Sequence, residues 1–318
     1  MSTMLVVGSV AFDTLGLAEG TRHPRVLGGS ALYAALAGSK LTPVQLVGVV
    51  GEDFPHDALD MLRRAGVDLE GLQVRPGKTF HWEGQYTEDL SQRTSLRTDL
   101  NVFADFRADL PEIYRQTRHV LIGNIHPQLQ LEVIAQAHPE ALIVTDTMNL
   151  WIDTELAGLK QVLRQSHILI VNEEEAAQIT GEHMVARMGR ALRQMGPETV
   201  VIKQGPYGAM LFSAEDVFSV PGYPLDNVTD PTGAGDCFAG GFVASLCSDP
   251  EPRSRAGLRR AAVVGSALAS SCVEGVGPER IVVTSPEALE ARLAAFAELS
   301  AFPSRPSAVE AELARQAS

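Results

Sequence analysis

Short apolar runs recur along the chain at intervals that leave room for a helix between neighbours. Residues 5–7, 45–50, 119–122, 141–145, 167–171 and 199–203 are rich in Val, Ile and Leu, as strands covered on both faces require. Segments 30–40, 58–65, 129–137 and 173–180 carry their apolar residues at helical spacing. This alternation predicts an α/β fold: a doubly wound, mostly parallel sheet flanked by helices.

The pattern breaks between about residues 74 and 106. Thr79-Phe80-His81-Trp82-Glu83-Gly84-Gln85-Tyr86 alternates with period two, and no helix-length pattern follows. Antiparallel strands inserted as a small β-sheet lid are expected here. Phe80, Trp82, Gly84 and Tyr86 fall on one face, and His81, Glu83, Gln85 and Thr87 on the other. Aromatics at this spacing either pack the small sheet or offer a stacking surface to a planar ligand, and the pattern leaves both readings open. The expected division is 1–12, 26–74 and 106–302 for the main domain, 13–25 and 75–105 for the lid, and 303–318 for a C-terminal tail without an assigned role.

Composition narrows the partners more than the fold. An apolar fraction of 45% and a charged fraction of 20% over 318 residues suit an ordinary globular chain with a sizeable core. A net charge of −13 opposes binding to nucleic acids and anionic membranes, so neither is an expected partner. No apolar stretch is long enough to span a bilayer, and the first residues lack the basic start of a secretory signal. Cys237, Cys247 and Cys272 form no Cys-x-x-Cys pair. A cytoplasmic protein with reduced thiols is the expectation.

The chemistry concentrates in Asp230-Pro231-Thr232-Gly233-Ala234-Gly235-Asp236, a turn of small residues running straight into an apolar helical stretch, 237–247. Small residues let backbone N–H groups approach an anion, and the helix N-terminus adds partial positive charge. A carboxylate at that helix start can take the proton of a hydroxyl attacking a bound phosphate. Taken alone, an Asp there could equally be a helix cap.

From Asp230 to Val243 this segment resembles the C-terminal signature of the ribokinase-like (pfkB) carbohydrate kinases. Other landmarks fall in that family's order: Asp13 after the first strand, Gly28-Gly29 before the first helix, Val49-Val50-Gly51-Glu52-Asp53 after the second strand, and Asn172-Glu173-Glu174-Glu175 after the strand ending at Val171. The resemblance implies ATP-dependent transfer of a γ-phosphoryl group to a hydroxyl of a sugar or related polyol, with a nucleoside as the alternative acceptor and a non-catalytic sugar- or nucleotide-binding regulator as a third reading. It implies Asp236 as the base and an anion hole from Gly233, Ala234, Gly235 and the Asp236 N–H. Asn172 and Glu175 would organise Mg²⁺ through water. Lys203, Gly205 and Thr232 would lie on the nucleotide side, and Asp230 resembles a position that holds a monovalent cation such as K⁺ in some members. On the acceptor side it implies Asp13, Gly28, Gly29, Tyr33 and Asn124. Tyr33 departs from ribokinase-type members, which carry an Asn there. The expected partners are ATP and a small hydroxylated substrate, with a homodimer paired through the lid.

One motif misleads. Gly77-Lys78-Thr79 imitates the end of a Walker A loop, but Leu72 stands where its first glycine is required and no helix follows.

Overall fold

The computed structural model describes residues 2–17, 20–90 and 92–301; the tail expected at 303–318 lies outside them. Fourteen strands appear among the described residues: β1 (Met4–Val7), β2 (Ala11–Gly16), β3 (Arg22–Gly28), β4 (Val44–Gly51), β5 (Val67–Asp68), β6 (Leu72–Arg75), β7 (Phe80–Tyr86), β8 (Arg93–Asp99), β9 (His119–Ile122), β10 (Leu142–Thr145), β11 (Ile168–Asn172), β12 (Thr199–Lys203), β13 (Ala209–Phe212) and β14 (Val217–Val220). Ten of them build one sheet in the order β14-β13-β12-β11-β10-β9-β1-β4-β5, with β6 also paired to β4. It is parallel except at β13 and β14.

Helices cover both faces, which is why the central strands read as unbroken apolar runs. Met4 and Val6 of β1 point into one cluster with the helices Ser30–Gly38, Ala234–Cys247 and Arg255–Cys272, while Leu5 and Val7 point into another with the helix Pro127–Gln136. Glycines let the first three helices approach closely. A Cβ on Gly240 would lie 2.2 Å from the Ala34 carbonyl oxygen, and one on Gly265 would lie 2.8 Å from that of Phe238.

The other four strands form a separate sheet in the order β3-β2-β7-β8. Two of its pairs are antiparallel as expected, but β2 and β7 run parallel. The reason is topological: they are joined through the main domain rather than by a hairpin, so no tight turn reverses the chain. The sheet takes in Ala11, Phe12 and Val26–Gly28, beyond the boundaries read from the sequence, because the Ala11–Gly28 pairing closes the β2–β3 hairpin at the junction itself. Gly77-Lys78-Thr79 proves structural, since Thr79 donates from its N–H and its hydroxyl to the Asp53 carboxylate, each at 2.7 Å, and so fastens the loop after β4 to the start of β7.

Candidate active site

The carboxyl ends of β10, β11 and β12 lie side by side at one edge of the sheet, the place where ligands bind in open α/β sheets. Asp146 follows β10, Asn172 ends β11 and Lys203 ends β12, with Asn172 and Lys203 in direct register. Against these strand ends runs the 230–236 turn. Gly233 has φ +77°, and a Cβ there would strike the Tyr33 ring at 2.4 Å, so only glycine makes this turn. The Ala234 N–H turns back to the Pro231 carbonyl at 3.3 Å, while Gly235 and Asp236 open the helix Ala234–Cys247 with first-turn N–H groups that lack an intrahelical acceptor.

Lys203 is the buried cation of the site. Its Nζ lies 3.7 Å from Asp146 Oδ2, and a Cβ on Gly235 would come within 2.9 Å of it, which puts the ammonium at the mouth of the turn. Burial lowers its basicity, but the Asp146, Glu175 and Asp236 charges outweigh that and hold its pKa above the ordinary value. The carboxylates shift the other way. Burial pushes Asp236 up to about 7, with the Asp146 charge adding to the rise while Lys203 and Arg93 oppose it. Glu175 is likewise pushed up to about 7 by burial and by Asp146. Asp13 rises to about 8 through burial and the nearby Asp230 and Asp236 charges. An acid near neutrality beside an anion-binding helix start suits a general base.

Asp13 reaches this cluster from β2, on the face of the small sheet turned toward the main domain. A Cβ on Gly28 would fall 2.0 Å from its Oδ2, so the glycine is what gives the carboxylate its place. Gly29, at φ +95°, brings the chain against the Ser9 carbonyl as the helix Ser30–Gly38 begins. Tyr33 is buried beneath the turn, and its hydroxyl has no hydrogen-bond partner. Asn124 follows β9, and its carbonyl accepts from Trp151 Nε1 at 3.1 Å. Gly205 lies past Lys203 at φ +55° with open space beside it.

Asp230 and Thr232 serve as ties. The two Asp230 oxygens accept from the N–H groups of Thr232, at 2.9 Å, and Gly277, at 2.8 Å, joining the turn to the loop after the helix Arg255–Cys272. The Thr232 hydroxyl bonds the Tyr86 hydroxyl of β7 at 2.9 Å, which latches the small sheet onto the turn.

A pfkB family carbohydrate kinase model matches residues 1–284. The chain belongs to this family. Among its relatives, the cytidine kinase of Thermococcus kodakarensis is 34% identical over 273 residues, covering 82% of this chain and 95% of that protein. The nucleoside kinase of Methanothermobacter thermautotrophicus is 26% identical over 306 residues, covering 90% and 94%. In fold, the chain resembles the fructokinase of Vibrio cholerae O395, solved with fructose, ADP and a calcium ion, at a TM-score of 0.78 and 20% identity over 92% of this chain and 99% of that one.

As a pfkB-family kinase the protein is a phosphotransferase acting on a hydroxyl group. Two charged residues beside its Asp236 carry no local sequence signal of the kind used above. Asp146, 4% exposed, could have been found only as a polar residue ending an apolar strand. Arg93 lies in β8, a strand with no apolar alternation to mark its faces. Asn172 and Glu175 form a reciprocal capping box, each backbone N–H donating to the other's side chain at 2.8 Å. Cys237, next to Asp236, is a packed thiol that burial holds well above its ordinary pKa.

Proposed function

We propose that this pfkB-family kinase phosphorylates a nucleoside, with ATP as donor. The sequence alone put a sugar or related polyol first and a nucleoside second. The observation that carries the reversed order is the 34% identity to a cytidine kinase across 95% of that protein's length. The small sheet supports it: Trp82 pairs in register with Asp13, on the inner face, where a planar base could stack above the carboxylate that receives the ribose hydroxyls.

In this reading the N–H groups of Gly233, Gly235 and Asp236 and the Lys203 ammonium bind the γ-phosphoryl group of ATP, while the Ala234 N–H, bonded to the Pro231 carbonyl, holds the turn in shape. Asp236 accepts the hydroxyl proton as the acceptor oxygen bonds to phosphorus, and Asp13 orients the acceptor from the lid. Gly205 leaves room for the nucleotide, whereas Thr232 acts through the latch to Tyr86. Tyr33 supports the turn from below.

The donor set fits Mg²⁺ held through its own waters. Among the described residues no cluster of three metal-ligating side chains occurs, and one oxygen of Glu175 is committed to the helix cap. Its other oxygen and the Asp146 carboxylate are hard, crowded anions whose mutual repulsion a hydrated cation relieves. Bound there, Mg²⁺ would neutralise phosphate charge. Each Asp230 oxygen keeps a lone pair after its backbone bond, which supports a monovalent cation at that point. The open edges β3 and β8 of the small sheet support a homodimer through the lid. Among the described residues no helix is long and apolar enough to cross a membrane.

The test is ADP release over a panel of cytidine, other nucleosides, ribose, fructose and inositol, with Asp236→Asn beside the wild type. A nucleoside is expected to be the best acceptor, and the variant to lose ~10²–10⁴ in kcat while still binding ATP. Turnover of a sugar with every nucleoside inert would return the assignment to the sugar kinases. Near-normal kcat in Asp236→Asn would remove Asp236 as the base.

A further inference from the structure

The parallel ladder between β9 and β10 stops at the edge of the candidate site. The Arg118 and Ile122 carbonyls accept from the N–H groups of Leu142 and Asp146, at 2.7 and 3.0 Å. The next rung of a parallel ladder would bring the N–H of Asn124 to the Asp146 carbonyl. β9 does not supply it. Its chain turns away after Gly123, where the Ile125 N–H bonds back to the Gly123 carbonyl at 2.8 Å. A buried carbonyl left without a donor at this point would be costly.

The donor comes from a helix instead. Gln130 lies in the helix Pro127–Gln136, and its Nε2 donates to the Asp146 and Gly123 carbonyls, each at 2.9 Å. One amide thus bridges the ends of β9 and β10 where their own ladder stops. Gln130 is wholly buried, on the stripe of its helix that also carries Leu129 and Val133 and faces the sheet, where helical spacing calls for an apolar residue. It does more than fill space there. Its Oε1 has no hydrogen-bond partner, so the amide bears a desolvation cost that a leucine or methionine would avoid. Only the donor end is used, and both of its bonds go to main chain at the site.

What the bridge holds is Asp146. The Asp146 carboxylate accepts from the Thr147 N–H at 2.8 Å and faces Lys203 Nζ at 3.7 Å. After burial itself, the Asp146 charge is the chief cause of the raised pKa values of Asp236 and Glu175. Gly123, at the other end of the bridge, leads directly into Asn124 on the acceptor side. The spacing between these two walls is therefore set by a side chain that belongs to neither.

We propose that Gln130 is a positioning residue for phosphoryl transfer, which fixes the main chain of Asp146 against β9 and so holds the Asp146 carboxylate in place beside Lys203 and Asp236. The inference rests on the kinase reading of Asp236, Lys203 and the 233–236 turn. Gln130 makes and breaks no bond in the reaction; it acts through Asp146. Without the amide, the Asp146 carbonyl loses its donor and the segment 146–147 is released from β9, taking the carboxylate with it. A misplacement of about 1 Å at a reacting site is enough to cost ~10²-fold in rate.

The test is a double-mutant cycle on Gln130→Met and Asp146→Asn, assayed with whichever acceptor of the panel above is turned over fastest. Gln130→Met is expected to lower kcat by ~10–100-fold while both KM values move less than about threefold. In the Asp146→Asn background the same substitution should change kcat by less than about threefold, because the group it displaces has already lost its charge, while its effect on melting temperature remains. Gln130→Leu, with a shorter side chain, deletes the same amide and should behave alike. Gln136→Met is the control. Gln136 belongs to the same helix and ties the loop before β9, bonding the Ala108 carbonyl at 2.9 Å and the Leu110 N–H at 3.0 Å. Its loss should lower the melting temperature and leave kcat within about threefold of the wild type. Any one of four results overturns the proposal: a near-normal kcat in Gln130→Met, an equal kcat loss in Gln136→Met, an unchanged kcat in Asp146→Asn, or the same fold-loss in both Asp146 backgrounds. Any of these beside an inactive Asp236→Asn removes only the Gln130 inference; normal turnover in Asp236→Asn removes the reading beneath it.

Discussion

Replacing Lys203 with methionine keeps the length and packing of the side chain and deletes the ammonium. The side chain is 16% exposed and sits 3.7 Å from an Asp146 carboxylate that is 6% exposed. At an effective dielectric of about 20, unit charges at that separation attract by roughly 4–5 kcal/mol. Removing one partner of a buried pair costs ~3–5 kcal/mol, unless the survivor escapes by taking up a proton. Asp146 can do so, because burial already raises its pKa and Lys203 is the first group opposing that rise. The loss in Lys203→Met is therefore expected to depend on pH. Urea unfolding over a pH series should show the loss growing as pH rises, because Asp146 then sheds its proton and is left charged and alone, and shrinking toward acid, where it takes up the proton. Asp236 also loses a neighbour that holds its pKa down, so the acid limb of kcat/KM, expected near 7 in the wild type, moves to higher pH. Turnover should fall by ~10²–10³, as when a single charge-stabilising donor is lost. Equal urea midpoints for variant and wild type across the pH series, with an unmoved acid limb, would refute the account of Lys203 as the buried counter-charge of this cluster.

Asp13 offers two further checks. Gly28→Ala puts a methyl group 2.0 Å from the Asp13 Oδ2 position and must push the carboxylate aside. Assayed at about pH 9, above the Asp13 pKa of about 8, the acceptor KM is expected to rise roughly 10–100-fold, the worth of one hydrogen bond to a charged group, with the ATP KM unchanged in steady-state assays. The folded-state pKa of Asp13, about 8, lies above that of the unfolded chain, so the folded state binds the extra proton between the two values and stability falls as pH rises through that window. Asp13→Asn abolishes the titration. Its melting temperature relative to the wild type should climb between about pH 5 and pH 8.5, and a constant difference would show that Asp13 is not held protonated.

How much of this was legible beforehand depends on the range of each interaction. The 230–236 turn, the Asn172–Glu175 spacing and the apolar strand runs are local: a turn needs its own glycines, and a capping box needs partners three residues apart. These features could be read from neighbouring residues, along with the family and the phosphotransfer chemistry. Burial patterns of the central strands were equally legible, because a strand covered on both faces declares itself in its own composition.

Tertiary structure decided which charges meet. Lys203, with the spacing of a strand-end residue, becomes a buried cation only because β12 lies beside β11 and close to the turn. Asp146 and Arg93 come to Asp236 from 90 and 143 positions away, and no periodicity links such distant residues. Tyr33 reads as a residue facing the acceptor, and packing sets its ring against Gly233, a contact that its own neighbours in sequence do not signal. The parallel β2–β7 pair likewise follows from how the small sheet is threaded through the main domain, not from alternation within either strand. Short-range hydrogen bonding and side-chain period are written residue by residue; electrostatic neighbourhoods are made by topology, and Asp236 acquires its pKa only within one.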